Sequence, residues 1–369
     1  MNSEKRKVGI LTMPIKENYG GIIQAAALYF FLKEKNFEPY IIMKKYDESK
    51  VKRALRYLLS HNLFYKLYDY KALTQREKQN LFLEEFISDF FSNVTQVSYD
   101  KEEYLDSIKG LEAIIVGSDQ VWRYNYIGSN YPYYFLDYLP SNITKIAYAA
   151  SFGTGKWEGD SASILHIRQL LKTFKGISVR ENSGIDLCLR TFEFDKALHV
   201  LDPTFLPNVD FYNDLIDVKK ITKKVGFFSY VLDKSGYIDE ILSFIEEEIG
   251  ATRCVIELTN YGCDVKPSIE EWLYHFREAD FIVTDSFHGM VFSIIFNKQF
   301  VCVGNSSRGL DRFYSLLELL NLEDRLVSTF NVKVIRELLD NKIDYIDVNE
   351  KLSELKDLSK SFLLQNLNN

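Results

Sequence analysis

At 369 residues, 46% of them hydrophobic, the chain exceeds the size at which one hydrophobic core usually stops growing, so two domains are expected and neither lacks core material. The net charge of −7, from 45 Lys plus Arg against 52 Asp plus Glu, removes any global electrostatic attraction to nucleic acid. Four cysteines, Cys188, Cys254, Cys263 and Cys302, lie far apart with no CxxC pair, which argues against a zinc knuckle or a disulfide framework and for reduced thiols in the cytoplasm.

Met1–Lys7 is polar and leads into the short apolar run Val8–Met13, which has neither the length nor the cleavage pattern of a secretory signal. That run reads as a buried strand, followed by the loop Pro14–Gly21 and an apolar helix from near Ile22. Strand patterns recur at Ala113–Val116, Lys145–Ala150, Ile177–Val179 and His199–Leu201. Between the first two strands lies a helical insertion, residues 44–93. From Lys44 to Lys78 it carries ten basic residues against four acidic ones, with Leu55, Leu58, Leu59, Leu63 and Leu67 at helical spacing. Such a segment either packs on its own domain or makes a peripheral contact with an anionic membrane surface.

After Leu201–Pro207 and a polar stretch, the same grammar restarts. Strands are expected at Val225–Tyr230, Cys254–Leu258, Phe281–Thr284 and Phe300–Val303, with helices at 238–248, 269–277, 288–297 and 332–340. Alternating strands and helices predict an α/β fold with mostly parallel sheets. The expected organisation is one α/β domain over 1–207, a second over 208–347, and a C-terminal helix over 348–369 that packs back on the first.

In sheets of this kind ligands bind beyond the carboxyl ends of the strands, where helix amino termini favour anions. The residues just past each expected strand are therefore the candidates. Asn18, Gly20 and Gly21, with Gln24 in the helix behind them, form either a tight turn or a cradle for phosphate or sugar. No Gly-Lys-Ser/Thr follows, so this is not a P-loop. Gly117–Trp122 places Asp119, Gln120 and Trp122 at a strand tip. Arg180 either grips an anion or pairs with an acid such as Glu181. His288 opens an apolar helix beside Asp285, a setting that suits proton transfer, whereas His61, His166, His199 and His275 have no comparable surroundings.

Taken in order, the segments NYGG-IIQAAAL, GSDQVW, YAASFG, SVRENSG, LDPTFL and DSFHG-MVFSIIFNKQFV resemble the polysaccharide pyruvyl transferase family over about residues 7 to 329. The resemblance implies two Rossmann-like domains facing across a cleft, similar to two-domain glycosyltransferases. It implies transfer of the enolpyruvyl carbons of phosphoenolpyruvate to a sugar of a surface polysaccharide or of its lipid-linked precursor, forming a pyruvate ketal. The family arginine falls on Arg180 and the family histidine on His288, with Asp119 and Asp285 as further acid–base candidates. The family pattern often reads Arg-Leu-His where this chain has Ser286-Phe287-His288. Arg308 or Arg312 then stands in for the missing arginine, with Ser286 and Gly289 at the same helix start as donor contacts. Asn18, Gly20, Gly21, Gln24, Gln120 and Trp122 are left to face the acceptor. Phosphoenolpyruvate enters as substrate, and neither cofactor nor metal is expected. A nucleotide-sugar glycosyltransferase and a non-catalytic sugar- or partner-binding module are the alternatives, separable by the product released and by a phosphoenolpyruvate titration.

Overall fold

The structure is a computed structural model and describes residues 5–45, 51, 79–218, 225–233, 236–255, 266–304 and 309–368. The first half of the chain builds a six-stranded sheet from β1 (Lys7–Leu11), β2 (Glu38–Ile41), β3 (Ala113–Val116), β4 (Thr144–Ala150), β5 (Gly176–Val179) and β6 (Leu198–His199), in the order β2-β1-β3-β4-β5-β6. The second half builds a five-stranded sheet from β7 (Val225–Tyr230), β8 (Arg253–Val255), β9 (Ala279–Thr284), β10 (Gln299–Val303) and β11 (Leu326–Val327), in the order β11-β10-β9-β7-β8. The described strand pairings are all parallel. Runs such as Ala-Ile-Ile-Val in β3, buried at every position, suit a sheet covered by helices on both faces.

In each sheet the chain moves outward from its first strand and then returns to that strand's other side. This places a topological switch between β1 and β3, and another between β7 and β9. Crevices open at such switches, beyond the carboxyl ends of the strands. The loops after β1, β3, β7 and β9 therefore flank the ligand-receiving region.

Helix α1 (Tyr19–Glu34) is apolar on all sides because it lies between the two halves. Tyr19 donates its hydroxyl proton to the Pro267 carbonyl at 2.6 Å and stacks on Trp272 at 5.3 Å, while Phe30 stacks on Phe211 at 4.3 Å. One apolar cluster consequently runs from Val8 and Ile10 in the first sheet to Phe228 and Ile282 in the second, and each sheet keeps a separate cluster on its other face. Helix α2 (Leu81–Phe90) packs Phe86 and Phe90 beside α1. Helix α3 (Ile269–Glu278) opens with a capping box between Ser268 and Glu271, which satisfies two otherwise orphaned amides. Helices α4 (Phe287–Ile295) and α5 (Asp311–Leu320) follow β9 and β10. Helix α6 (Tyr345–Asn368) lies against the first sheet, where Ser359 Oγ accepts from the Leu201 amide at 3.0 Å and Phe362 faces Tyr148.

Three expectations are corrected. The first helix begins at Tyr19, not near Ile22, so Gly20 and Gly21 are its first turn and not a loop. The short strands β2 and β11 went unrecognised, since two to four residues carry too little periodicity to read. The strand expected at Cys254–Leu258 is Arg253–Val255, and the residues after Val255 lie outside the described residues. The basic stretch Lys44–Lys78 also lies outside them, apart from Lys44, Lys45 and Val51. Among the described residues no helix is long and apolar enough to cross a membrane.

Candidate active site

Arg180 leaves the end of β5 and is 3% exposed. Its NH1 donates to Asp202 Oδ2 at 2.7 Å. Asp202, 2% exposed, begins the turn Pro203–Phe205, and its Oδ1 accepts from the amide and the hydroxyl of Thr204. That anchorage aims Oδ2 at the cleft, where it also accepts from Ser118 Oγ at 3.0 Å and lies 3.8 Å from His288 Nε2. Burial alone raises a carboxyl pKa, but His288 and Arg180 outweigh it and hold Asp202 far below the usual carboxylate range.

The amino termini of α1 and α4 meet at His288. A Cβ at Gly20 would stand 2.0 Å from His288 Nδ1, so only glycine lets the first turn of α1 approach the imidazole this closely. Ser286 caps α4 by accepting from the Gly289 amide at 3.3 Å, and Gly289 in turn leaves room for Thr284, whose Oγ1 would be 2.2 Å from a Cβ there. Both residues shape the start of α4.

Phe287 fills the space between two guanidinium groups. Arg180 lies 4.6 Å from its ring centroid and Arg312, at the start of α5, lies 5.3 Å from it. Arg312 is buried, and burial together with the charge of Arg180 pushes its pKa down to about 10. Among the described residues, Arg180 Nε and NH2 and His288 Nε2 are buried with no hydrogen-bond partner. Native proteins rarely leave buried polar nitrogens unused, and these lie beside two helix amino termini, whose free amides favour anions.

Other sequence candidates take different places. Asp119 stands at the tip of β3, 4.0 Å from Arg180 NH2, and its Oδ1 accepts from the Gln120 amide. Gln120 Oε1 accepts from Arg123 at 2.9 Å. Asn18 is exposed at the start of α1 without capping it. Gln24 faces inward, donating to Thr12 Oγ1 and to the Gly21 carbonyl and accepting from the Ser118 amide, so it braces the loop after β3 and does not line the cleft. Trp122 is likewise a core residue, stacked on Phe135 at 4.8 Å with Nε1 donating to the Tyr134 carbonyl. Both oxygens of Asp285 accept backbone amides, from Leu232 and Asp233, which fixes the loop after β7. Arg308 lies outside the described residues.

Glu181 is not the partner of Arg180. Its Oε1 accepts from Ser151 Oγ, the Phe152 amide and the Gly153 amide, and burial raises its pKa against the pull of Arg180. The residues that sequence reasoning passed over are Asp202, Ser118 and Phe287. Asp-Pro-Thr reads as a capped turn, which it is, and nothing local betrays that the second carboxylate oxygen reaches Arg180, 22 positions earlier.

A cleft between two parallel sheets, furnished with buried arginines and paired helix amino termini, is the candidate site of this α/β protein. The profile described as polysaccharide pyruvyl transferase matches residues 18–307. The chain belongs to that family, an enzyme family acting on polysaccharide, with a sugar as acceptor. Among solved structures it is similar to UDP-GlcNAc 2-epimerase from Neisseria meningitidis bound to UDP-GlcNAc, at 8% identity over 98% of this chain and 99% of that one, with a TM-score of 0.52. It is also similar to an alpha-glucosyltransferase in complex with UDP-glucose and DNA containing an abasic site, at 10% identity over 99% and 93% of the two chains and a TM-score of 0.48. UDP-GlcNAc 2-epimerase from Methanocaldococcus jannaschii matches at 13% identity over 92% and 93%, with a TM-score of 0.48. At these identities the likeness to the Neisseria protein concerns the two-sheet fold alone. Among curated proteins no sequence matches significantly.

Proposed function

We propose that the protein transfers the enolpyruvyl carbons of phosphoenolpyruvate to a sugar of a polysaccharide or its precursor, forming a pyruvate ketal and releasing inorganic phosphate. The observation that carries this reading is Arg180, buried with one nitrogen held by Asp202 and two left without a hydrogen-bond partner among the described residues, next to His288 Nε2 in the same condition. Phosphoenolpyruvate carries a phosphate and a carboxylate, and charge-assisted contacts from Arg180, with Arg312 and the amino termini of α1 and α4 nearby, suit both.

The chemistry requires a proton on the methylene carbon, which turns it into a methyl group and makes the central carbon electrophilic. One sugar hydroxyl adds there, phosphate leaves with its bridging oxygen, and a second hydroxyl closes the ketal. Two hydroxyl protons are lost, one balancing the methyl group and one leaving with phosphate. His288 is the group we assign to proton delivery or to the departing phosphate, and Asp119 to accepting a hydroxyl proton. Asp202 holds Arg180 and faces His288 without entering the reaction. No cofactor takes part in this scheme.

The test is incubation with phosphoenolpyruvate and a panel of glycosides, with phosphate release and a new methyl resonance as readouts. Turnover of a UDP-sugar with release of UDP, and none with phosphoenolpyruvate, would overturn the reading in favour of glycosyl transfer.

A further inference from the structure

We infer that Tyr126, on the segment that leaves β3, is the platform on which the acceptor sugar lies, a pyranoside ring stacking on its phenol face. The inference rests on the proposed transfer to sugar and names the residues that hold the acceptor. Tyr126 is 43% exposed, whereas among the described residues most large aromatic side chains are buried. It is nonetheless held firmly. The Arg123 guanidinium stacks 4.5 Å from its ring centroid, and Arg123 NH1 donates to the Tyr126 hydroxyl at 3.0 Å. Arg123 itself is largely buried, donating to Gln120 Oε1 and lying 3.8 Å from Glu158, which also accepts from the Asn125 amide at 3.0 Å. A half-exposed aromatic ring fixed from beneath by a buried cation has already lost its side-chain freedom, so a ligand that stacks on it is spared that entropy.

The platform adjoins the anion site. Asp119, Gln120, Arg123 and Tyr126 succeed one another along the segment that leaves β3, linked from the Asp119 carboxylate through Gln120 and Arg123 to the phenol. Across from it, Gly153 and Gly309 come so close that a Cβ on Gly309 would meet the Gly153 carbonyl oxygen at 2.0 Å, which brings the start of α5 and Arg312 against this segment. A pyranoside presents one face of C–H groups and a rim of hydroxyls. An aromatic plate with the carboxamide of Gln120 and the carboxylate of Glu158 nearby, both on Arg123, matches both. Asp119, the group assigned to take the hydroxyl proton, opens the same segment.

The experiment is saturation-transfer NMR with methyl β-D-galactopyranoside, methyl β-D-glucopyranoside and methyl α-D-mannopyranoside in the presence of phosphoenolpyruvate, on wild type, Tyr126→Ala and Tyr126→Phe. Wild type should transfer saturation to the C–H protons of at least one glycoside, Tyr126→Phe should retain it, and Tyr126→Ala should lose most of it, with an acceptor KM raised about tenfold and phosphoenolpyruvate affinity unchanged. Equal transfer in wild type and Tyr126→Ala, or no transfer to any glycoside in wild type, overturns the platform. Tyr126-dependent transfer without phosphate release would leave the platform standing and reject pyruvyl transfer, so the two readings fail separately.

Discussion

Arg180 NH1 lies 2.7 Å from Asp202 Oδ2, and both side chains are 1% exposed. A buried pair of this kind is costly to break from one side, because the remaining charge is stranded away from water. Asp202→Ala should therefore lose about 3–5 kcal/mol in urea unfolding at neutral pH, and Asp202→Asn less, since an amide oxygen still serves Thr204. The pair also sets an acid limit. The folded-state pKa of Asp202 is depressed, so its stabilisation is fully present above the ordinary aspartate value of about 4 and disappears as pH falls below it. Wild type should destabilise below that pH more steeply than Asp202→Asn; parallel curves would show that the pair does not act this way.

Arg180→Lys separates holding the pair from holding the donor. A lysine ammonium can still neutralise Asp202, but it cannot keep one nitrogen there while directing two others into the cleft. Phosphoenolpyruvate affinity, measured by calorimetric titration, should fall by about 1.5–3 kcal/mol while the urea midpoint changes little. Undiminished affinity in this variant would place the donor elsewhere.

Two adjacent glycines should respond oppositely to alanine. In an ordinary helix the change stabilises by about 0.5–1 kcal/mol, and Gly21, whose nearest neighbour to a new Cβ is 3.6 Å away, should follow that rule with turnover unchanged. Gly20→Ala must move His288, since the new Cβ would stand 2.0 Å from Nδ1. Displacement of a reacting group by about 1 Å can cost on the order of a hundredfold, so Gly20→Ala should approach His288→Ala in its loss of kcat. Steady-state kinetics on the three variants decide it.

Glu181→Gln should make stability less dependent on pH. The carboxyl pKa is raised in the folded protein, so above the ordinary glutamate value of about 4.3 the unfolded chain holds fewer protons than the folded one, and stability falls as pH rises toward the folded-state pKa. A glutamine keeps an oxygen for the amides of Phe152 and Gly153 and cannot ionise. As pH rises above about 4.3, urea midpoints for the variant should decline less than those of wild type. A parallel decline would show that another group is responsible.

Much of the fold was legible because parallel, doubly covered strands such as Ala113–Val116 appear in the sequence as short apolar runs, and helices such as Ile269–Glu278 announce their caps. Arg180 and His288 could be picked out because both follow a strand. What stayed hidden depends on long-range meetings. Gly20 looked like loop glycine because nothing nearby in sequence says that an imidazole from residue 288 fills the space of its missing side chain. Trp122 looked like a cleft residue because its motif does not reveal Phe135 stacked against it. Asp285 looked like the carboxylate for His288 because it is adjacent in sequence, whereas the fold gives that place to Asp202 and uses Asp285 to fasten a loop.

Helix α6 is synthesised only after the whole second sheet, yet it seals the first. Until Ser359 arrives, the Leu201 amide has no side-chain hydroxyl to meet it, and Tyr148 in β4 lacks the ring of Phe362. During translation the earlier half must therefore wait, partly uncovered, while some 140 further residues emerge and fold, a delay on the order of ten seconds at ordinary elongation rates. The two sheets are separate as architecture but joined as a unit of assembly. A gene cut between them should yield an amino-terminal fragment that clumps rather than a working half.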